Sequence, residues 1–299
     1  MADSKLLGPA LVALILVVVG SALYARSCVF NAGNYSDPRR PRYADAFAPA
    51  RNATAPVEFK LTTLNYQFAY EEKRRAVIDL LRADPRFSGS DAYALQEMDS
   101  GSVRAIAEEL HLNYVYYPAR IHPTTNREFG NAVLTPWPIK DDWKLLLPHL
   151  RPTNEQRIAV AAKLAVGPRS VRVYSVHLAT IQSTRHRIDQ ASVVLSDSFA
   201  HCPSYVLVAG DFNTLLDRKP VAKPFQAAGF LWITEDGKPT TRGFLKGGYD
   251  QIFAFGFTPL ASATVGSDVE VSDHFPISGR FRFADDEATC PKPPAEAAS

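Results

Sequence analysis

Tyr205-Val206-Leu207-Val208-Ala209-Gly210-Asp211-Phe212-Asn213 is the stretch on which the fold of this 299-residue chain turns. Its unbroken apolar run has the character of a buried strand. Gly210-Asp211-Phe212-Asn213 then delivers a carboxylate and an amide to the strand's C-terminal end, where α/β proteins place their chemistry. An Asx turn closing an ordinary core strand would use the same residues. What separates the two readings is repetition elsewhere. Thr63-Leu64-Asn65, Leu95-Gln96-Glu97, Tyr174-Ser175-Val176-His177, Tyr249-Asp250-Gln251-Ile252 and Val271-Ser272-Asp273-His274 also set oxygen- or nitrogen-bearing side chains at the ends of apolar runs.

Hydrophobic residues at 46% and charged residues at 21% are enough for a sizeable core. The net charge of +2 is too small for the field of the whole molecule to gather a polyanion, so an anionic substrate must be met by local groups. The three cysteines, Cys28, Cys202 and Cys290, have no metal-ligand spacing. Cys28 and Cys290 flank the globular part and are the expected pair if the chain ends meet.

Residues 6–25 carry no charge, and about 20 such residues suffice to cross a bilayer. Residues 1–27 therefore read as an anchor or, given Gly20, Ser21 and Ala22, a cleaved signal. Arg26, Arg39, Arg40 and Arg42 after the segment, against Lys5 before it, favour a cytoplasmic catalytic part. The signal-like build favours export, and an extracytoplasmic, membrane-tethered domain is the expectation. Residues 28–56, rich in Pro, Arg, Ala and Asn, read as a flexible linker. The globular domain is expected over 57–284, with a disordered Pro- and Ala-rich tail at 285–299.

Helical spacing of apolar residues predicts helices over 71–82, from 100 onward and over 183–199, and residues 219–238 read as irregular. Several neighbouring strands are joined by turns too short for a crossover, so the sheets must be mixed, in α/β layers. The loop 118–130 holds Arg120, His122 and Arg127. It is either a solvated connection or a basic lip over an anionic substrate.

Glu97 with Asn65 offers the oxygen ligands that a hard cation such as Mg²⁺ prefers. His274, with Asp250 as candidate partner, can hold a proton near neutral pH and give it to a phosphoryl oxygen. His177 lies in an apolar strand, where a satisfied core histidine is the commoner case. Thr63-Leu64-Asn65, Leu95-Gln96-Glu97, Phe129-Gly130-Asn131-Ala132-Val133-Leu134, Ser175-Val176-His177-Leu178, Gly210-Asp211-Phe212-Asn213, Tyr249-Asp250-Gln251-Ile252-Phe253 and Ser272-Asp273-His274-Phe275-Pro276-Ile277, in this order, resemble the motifs of the endonuclease/exonuclease/phosphatase superfamily of metal-dependent phosphoesterases.

The resemblance implies a DNase I-like four-layer sandwich, two mixed β-sheets packed face to face with helices outside. It implies Asn65, Glu97 and Asp273 as metal residues for Mg²⁺ or Mn²⁺, and His177, Asp211, Asn213, Asp250 and His274 as catalytic residues. Asn131, from the third motif, and Arg187, near the start of the 183–199 helix, are the expected substrate contacts, although Arg187 on a solvated helix face is the commoner outcome. The implied reaction is attack of an activated water in line with the leaving oxygen of a phosphate ester. Nucleic acid and phospholipid or inositol headgroups are the substrate classes, and a tether favours the lipid. Some DNA-repair members carry an acidic residue where Gln67 stands here, which speaks against abasic-site repair. A catalytically dead binding module on the same fold is the alternative from outside the enzymes.

Overall fold

A computed structural model describes residues 33–284 except 51–53, 55, 69, 151–153, 181, 201 and 243–245. In chain order the elements are β1 (Tyr43–Ala46), β2 (Glu58–Asn65), α1 (Arg74–Ala83), β3 (Ala92–Met98), α2 (Ser100–Glu109), β4 (Asn113–Ile121), β5 (Glu128–Thr135), β6 (Ile139–Leu147) and β7 (Arg157–Val166). There follow β8 (Arg169–His177), α3 (Thr184–Phe199), β9 (Tyr205–Asp211), α4 (Arg218–Ala227), β10 (Leu231–Trp232), β11 (Asp250–Phe255), β12 (Phe257–Pro259), β13 (Thr264–Val265) and β14 (Ile277–Phe283).

The first sheet runs β1-β4-β5-β3-β2-β14-β12, with β13 also on β14, and the second runs β10-β11-β9-β8-β7-β6. In each, one parallel pair, β2/β3 and β8/β9, is joined through a helix, and every other pairing is antiparallel. The architecture is the four-layer sandwich with two mixed sheets. Alternation along β9 shows why the sequence had to be apolar throughout. Leu207 and Ala209 belong to the core between the sheets, whereas Val206 and Val208 pack with Ala191 and Val194 of α3 and Val221 and Phe225 of α4. On the far side, Val77 and Leu81 of α1 and Val103 and Ile106 of α2 cover Leu64, Leu95 and Leu134 of the first sheet. Each such aliphatic chain contributes about 1.5–3 kcal/mol by leaving water.

Polar side chains tie the sheets together near one end. Asn131 Nδ2 donates to the carbonyl oxygens of Ile158 and Ser175, both at 3.0 Å, and Gln96 Nε2 donates to Ser175 Oγ at 2.9 Å. Gly210 has φ +143, and a Cβ there would lie 2.0 Å from the Val176 carbonyl oxygen. Only glycine lets β9 approach β8 this closely ahead of Asp211.

Two expectations are corrected. The linker expected over 28–56 contains β1, which pairs with β4, and the Tyr35 amide bonds the Ala119 carbonyl at 2.8 Å. Buried Lys144 holds the same segment by donating to the carbonyls of Tyr35 (3.1 Å) and Arg40 (3.0 Å). Pairing depends on a partner strand far along the chain, so composition alone misses it. Residues 219–238, expected to be irregular, contain most of α4 despite Pro220 and the internal Pro224. Burial of Val221, Ala222 and Phe225 offsets the hydrogen bond that Pro224 cannot make. Cys202 is disulfide-bonded. Cys28 and Cys290, the pair expected if the chain ends meet, lie outside the described residues.

The apolar segment 6–25 and the tail 285–299 lie outside the described residues. Among the described residues no helix is long and apolar enough to cross a membrane.

Candidate active site

The two parallel pairs stop at the same end of the sandwich. Asn65 is in register with Gln96 across β2/β3, and His177 with Asp211 across β8/β9. Strict alternation along β3 would aim Glu97 away from its neighbour's side of the sheet. A register shift between Leu95 and Met98 and a left-handed backbone at Glu97 (φ +59) form a bulge that re-aims the carboxylate. Asp250 opens β11 opposite Asp211, and Ser272, by bonding the Asn65 carbonyl at 2.7 Å and accepting from the His274 amide at 3.1 Å, folds the turn before β14 onto the site.

One amide links the first two carboxylates. Asn65 Nδ2 donates to Glu97 Oε1 at 3.0 Å and to Asp211 Oδ2 at 3.1 Å, while its Oδ1 accepts from the Gln67 amide. Asn213 does the same for Asp211 alone, through its backbone amide to Oδ1 (2.8 Å) and Nδ2 to Oδ2 (3.2 Å). His274 Nδ1 meets Asp250 Oδ2 at 2.8 Å, and its Nε2 stands 3.8 Å from Asp211 Oδ2. His177 Nε2 lies 3.5 Å from Asp211 Oδ2 and 3.9 Å from Glu97 Oε1.

The electrostatics follow from burial. Desolvation raises the Glu97 carboxyl above the usual carboxylate range, against the bonds from Asn65 and Phe68. Desolvation likewise pushes Asp211 up to about 7, His274 opposing and Asp250 reinforcing it. Burial pulls His274 down, but Asp250, Asp211 and Asp273 together carry it up to about 10. His177 is held well below its ordinary value by burial and by Arg157 and His274, so it is neutral and its approach to Asp211 is not an ion pair.

Ligand atoms of Glu97, His177 and Asp211, and separately of Asp211, Asp250 and His274, lie within 4.8 Å of one another. The donor set fits a hard divalent cation. Buried Asp211 and partly buried Glu97 are carboxylates whose ionised forms desolvation penalises as they stand, and Asp250 Oδ1 is buried without a partner.

Asn65, Glu97, His177, Asp211, Asn213, Asp250 and His274 are thus brought together. Three expected residues are not. Asp273 is exposed and lies outside both groups, its Oδ1 accepting from Ser272 Oγ at 3.2 Å. Asn131 spends its amide on the two carbonyls that bridge the sheets and is 1% exposed. Arg187 is paired with Asp217 at 2.7 Å and donates to the Gln182 carbonyl at 2.9 Å, so its charge fastens a loop. Asn65, expected as a metal residue, turns nitrogen rather than oxygen toward the carboxylates, which eases their repulsion.

The sequence reading missed Arg157. It opens β7, is 7% exposed, lies 2.8 Å from His177 Nε2 and bonds Thr180 Oγ1 at 3.1 Å, with its Nε buried and unpartnered. Its signal was an arginine heading an otherwise apolar strand, but only the antiparallel register places that start beside the end of β8. The basic lip also fails. Arg120 is buried against Glu155 at 2.7 Å, Arg127 is paired with Asp99 and Glu71, and burial with Arg120 brings His122 down to about 4.

A sequence profile described as the Endonuclease/Exonuclease/phosphatase family matches residues 62–274. Against curated proteins, sequence alone gives no match. Among solved structures, the human Nocturnin catalytic domain with bound sulfate is similar with a TM-score of 0.63 at 17% identity, over 83% of this chain and 99% of that one. A humanized D. rerio TDP2 gives 0.61 at 16%, over 76% and 100%, and the mannosyl-6-phosphatase Bt3783 of Bacteroides thetaiotaomicron gives 0.56 at 13%, over 75% and 100%. At these identities the likeness is one of fold.

Proposed function

The chain belongs to the Endonuclease/Exonuclease/phosphatase family of phosphoester hydrolases, and from that premise we propose that it cleaves phosphate esters in a Mg²⁺- or Mn²⁺-dependent reaction by in-line attack of water. The observation that supports this most is the meeting of Glu97, His177 and Asp211, from three different strands, within 4.8 Å.

Glu97, facing Asp211, is the residue that would hold the cation. When bound, such an ion neutralises the phosphate and polarises its bond to the leaving oxygen. Asp211, fixed by Asn213, aims the water. His274, kept protonated by Asp250, donates to the phosphoryl oxygen on which charge grows. Arg157, with a free buried Nε beside His177, adds a fixed positive charge on the same wall. Neutral His177 is then a hydrogen-bonding group.

Glu97→Gln and Asp211→Ala are each expected to lower kcat roughly 100-fold or more on a chromogenic phosphodiester, as EDTA would for the unaltered protein. Unchanged turnover in either variant overturns the assignment. Plasmid and phospholipid vesicles, each with and without EDTA, separate the two substrate classes.

A second reading concerns place. The uncharged run over 6–25 supports a membrane-tethered domain, and a disulfide at Cys202 supports an oxidising, extracytoplasmic compartment. Recovery of the full chain in the soluble cytosolic fraction, with every thiol alkylatable without reduction, rejects it.

A further inference from the structure

We propose that the Phe68–His122 ring stack is a shelf for a flat aromatic ring of the substrate, namely a nucleobase carried next to the scissile phosphate; this names the substrate class of the site and rests on the phosphoester reading above.

Phe68, His122 and Phe129 form a cluster of rings beside His177, with Phe68 and Phe129 themselves 6.4 Å apart. Phe129 lies 5.7 Å from His177, His122 lies 5.2 Å from Phe129, and Phe68 is stacked on His122 at 4.4 Å with 30° between planes. Tyr70 meets Phe68 edge-on at 5.8 Å. Phe129 is buried, whereas Phe68 and His122 are both partly exposed.

The loop that carries Phe68 is held under strain. Gln67 and Phe68 are consecutive non-glycine residues with left-handed backbones (φ +60 and +57). Each such residue is costly, and two in succession persist only where surrounding bonds impose them. Those bonds run to the chemistry: the Gln67 amide donates to Asn65 Oδ1 at 3.0 Å and the Phe68 amide to Glu97 Oε2 at 2.9 Å. The position of the ring is therefore fixed relative to the carboxylate that would hold the cation.

The character of the shelf selects a base over other headgroups. Arg120 and Arg127 are both tied up by acidic partners, so the 118–130 loop offers a long polyanion little. His122 is neutral, which leaves a stack without net charge. Uncharged flat faces take nucleobases, whose stacking on aromatic side chains is worth about 1–3 kcal/mol per base and tolerates any base. Acyl chains and inositol rings have no such flat face.

The test compares thymidine 5′-(p-nitrophenyl phosphate) with methyl p-nitrophenyl phosphate, both with Mg²⁺, which differ in the nucleoside alone. In the unaltered protein kcat/KM should favour the nucleoside ester, and Phe68→Leu, which keeps apolar bulk but loses the plane, should cut that preference roughly 5- to 150-fold, the range equivalent to the stacking energy. His122→Phe should retain the preference and His122→Leu reduce it, with thermal melts showing each variant folded. A preference near one in the unaltered protein, or one that Phe68→Leu does not move, overturns the shelf while leaving the hydrolase intact. If neither ester is hydrolysed, the hydrolase reading fails. The shelf is then decided by calorimetry in EDTA with thymidine 5′-monophosphate, glucose 6-phosphate and inorganic phosphate. Nucleotide binding at least fivefold tighter than the others and lost in Phe68→Leu supports it, and equal or sugar-selective binding overturns it.

Discussion

In the reaction proposed for this site Asp211 aims the water, and the fold holds it at a cost in stability. Desolvation moves its folded pKa to about 7, above the ordinary value of 3.8, so the folded protein binds the extra proton between these limits. The stabilisation is fully present below pH 3.8 and is lost as pH rises through 7. In EDTA, Asp211→Asn is therefore expected to melt above the unaltered protein at pH 8 and to lose that advantage as pH falls toward 4. Mg²⁺ should raise the melting temperature of the unaltered protein more than that of the variant. A variant that melts lower at pH 8 would mean that Asp211 is satisfied without a cation. Gly210, one residue earlier, has no such tolerance. Gly210→Ala sets a methyl 2.0 Å from a carbonyl oxygen at φ +143, costs about 3 kcal/mol or more, and should give little folded protein on expression.

At the scale of elements, the edge of the first sheet lies where composition gives no sign of it. β1 covers the outer side of β4 through four registered residues, Tyr43 to Ala46, and Arg42 is paired with Asp142 of β6 at 2.7 Å. A chain cut to begin at Val57 loses both and leaves β4 as an open edge. It should melt lower and aggregate more than one begun at Gly33, and equal behaviour of the two would show β1 to be dispensable. α4 makes the complementary point. Pro220 and Pro224 oppose a helix locally, yet Val221, Ala222 and Phe225 cover the second sheet, and tertiary burial overrides propensity.

Across the whole molecule, two β-α-β units, β2-α1-β3 and β8-α3-β9, face each other so that their C-terminal ends share one cleft. Asn131 and Ser175 fasten the sheets beneath it, so Asn131 is a positioning residue. Asn131→Leu removes the side-chain donor shared by the buried carbonyls of Ile158 and Ser175. It should destabilise by about 2–4 kcal/mol and lower kcat with little change in KM, as expected when positioning rather than substrate contact is lost. A raised KM at unchanged stability would restore Asn131 to the substrate.

The sequence alone determined the family and the layered fold, and it named Asn65, Glu97, His177, Asp211, Asn213, Asp250 and His274, which the structure brings to one place, because each of these is written as a short motif at the end of an apolar run. Tertiary structure decided the rest. Whether an arginine is free depends on which carboxylate folds against it, as with Arg187 on Asp217, Arg120 on Glu155 and the open Nε of Arg157. Whether a loop is a basic lip or part of a cluster of rings depends on the same pairing, and whether 28–56 is linker or strand depends on β4, about 70 residues away. Motifs are local and pairings are not, and a one-dimensional reading recovers the first kind of information while the second exists only once the chain has closed on itself.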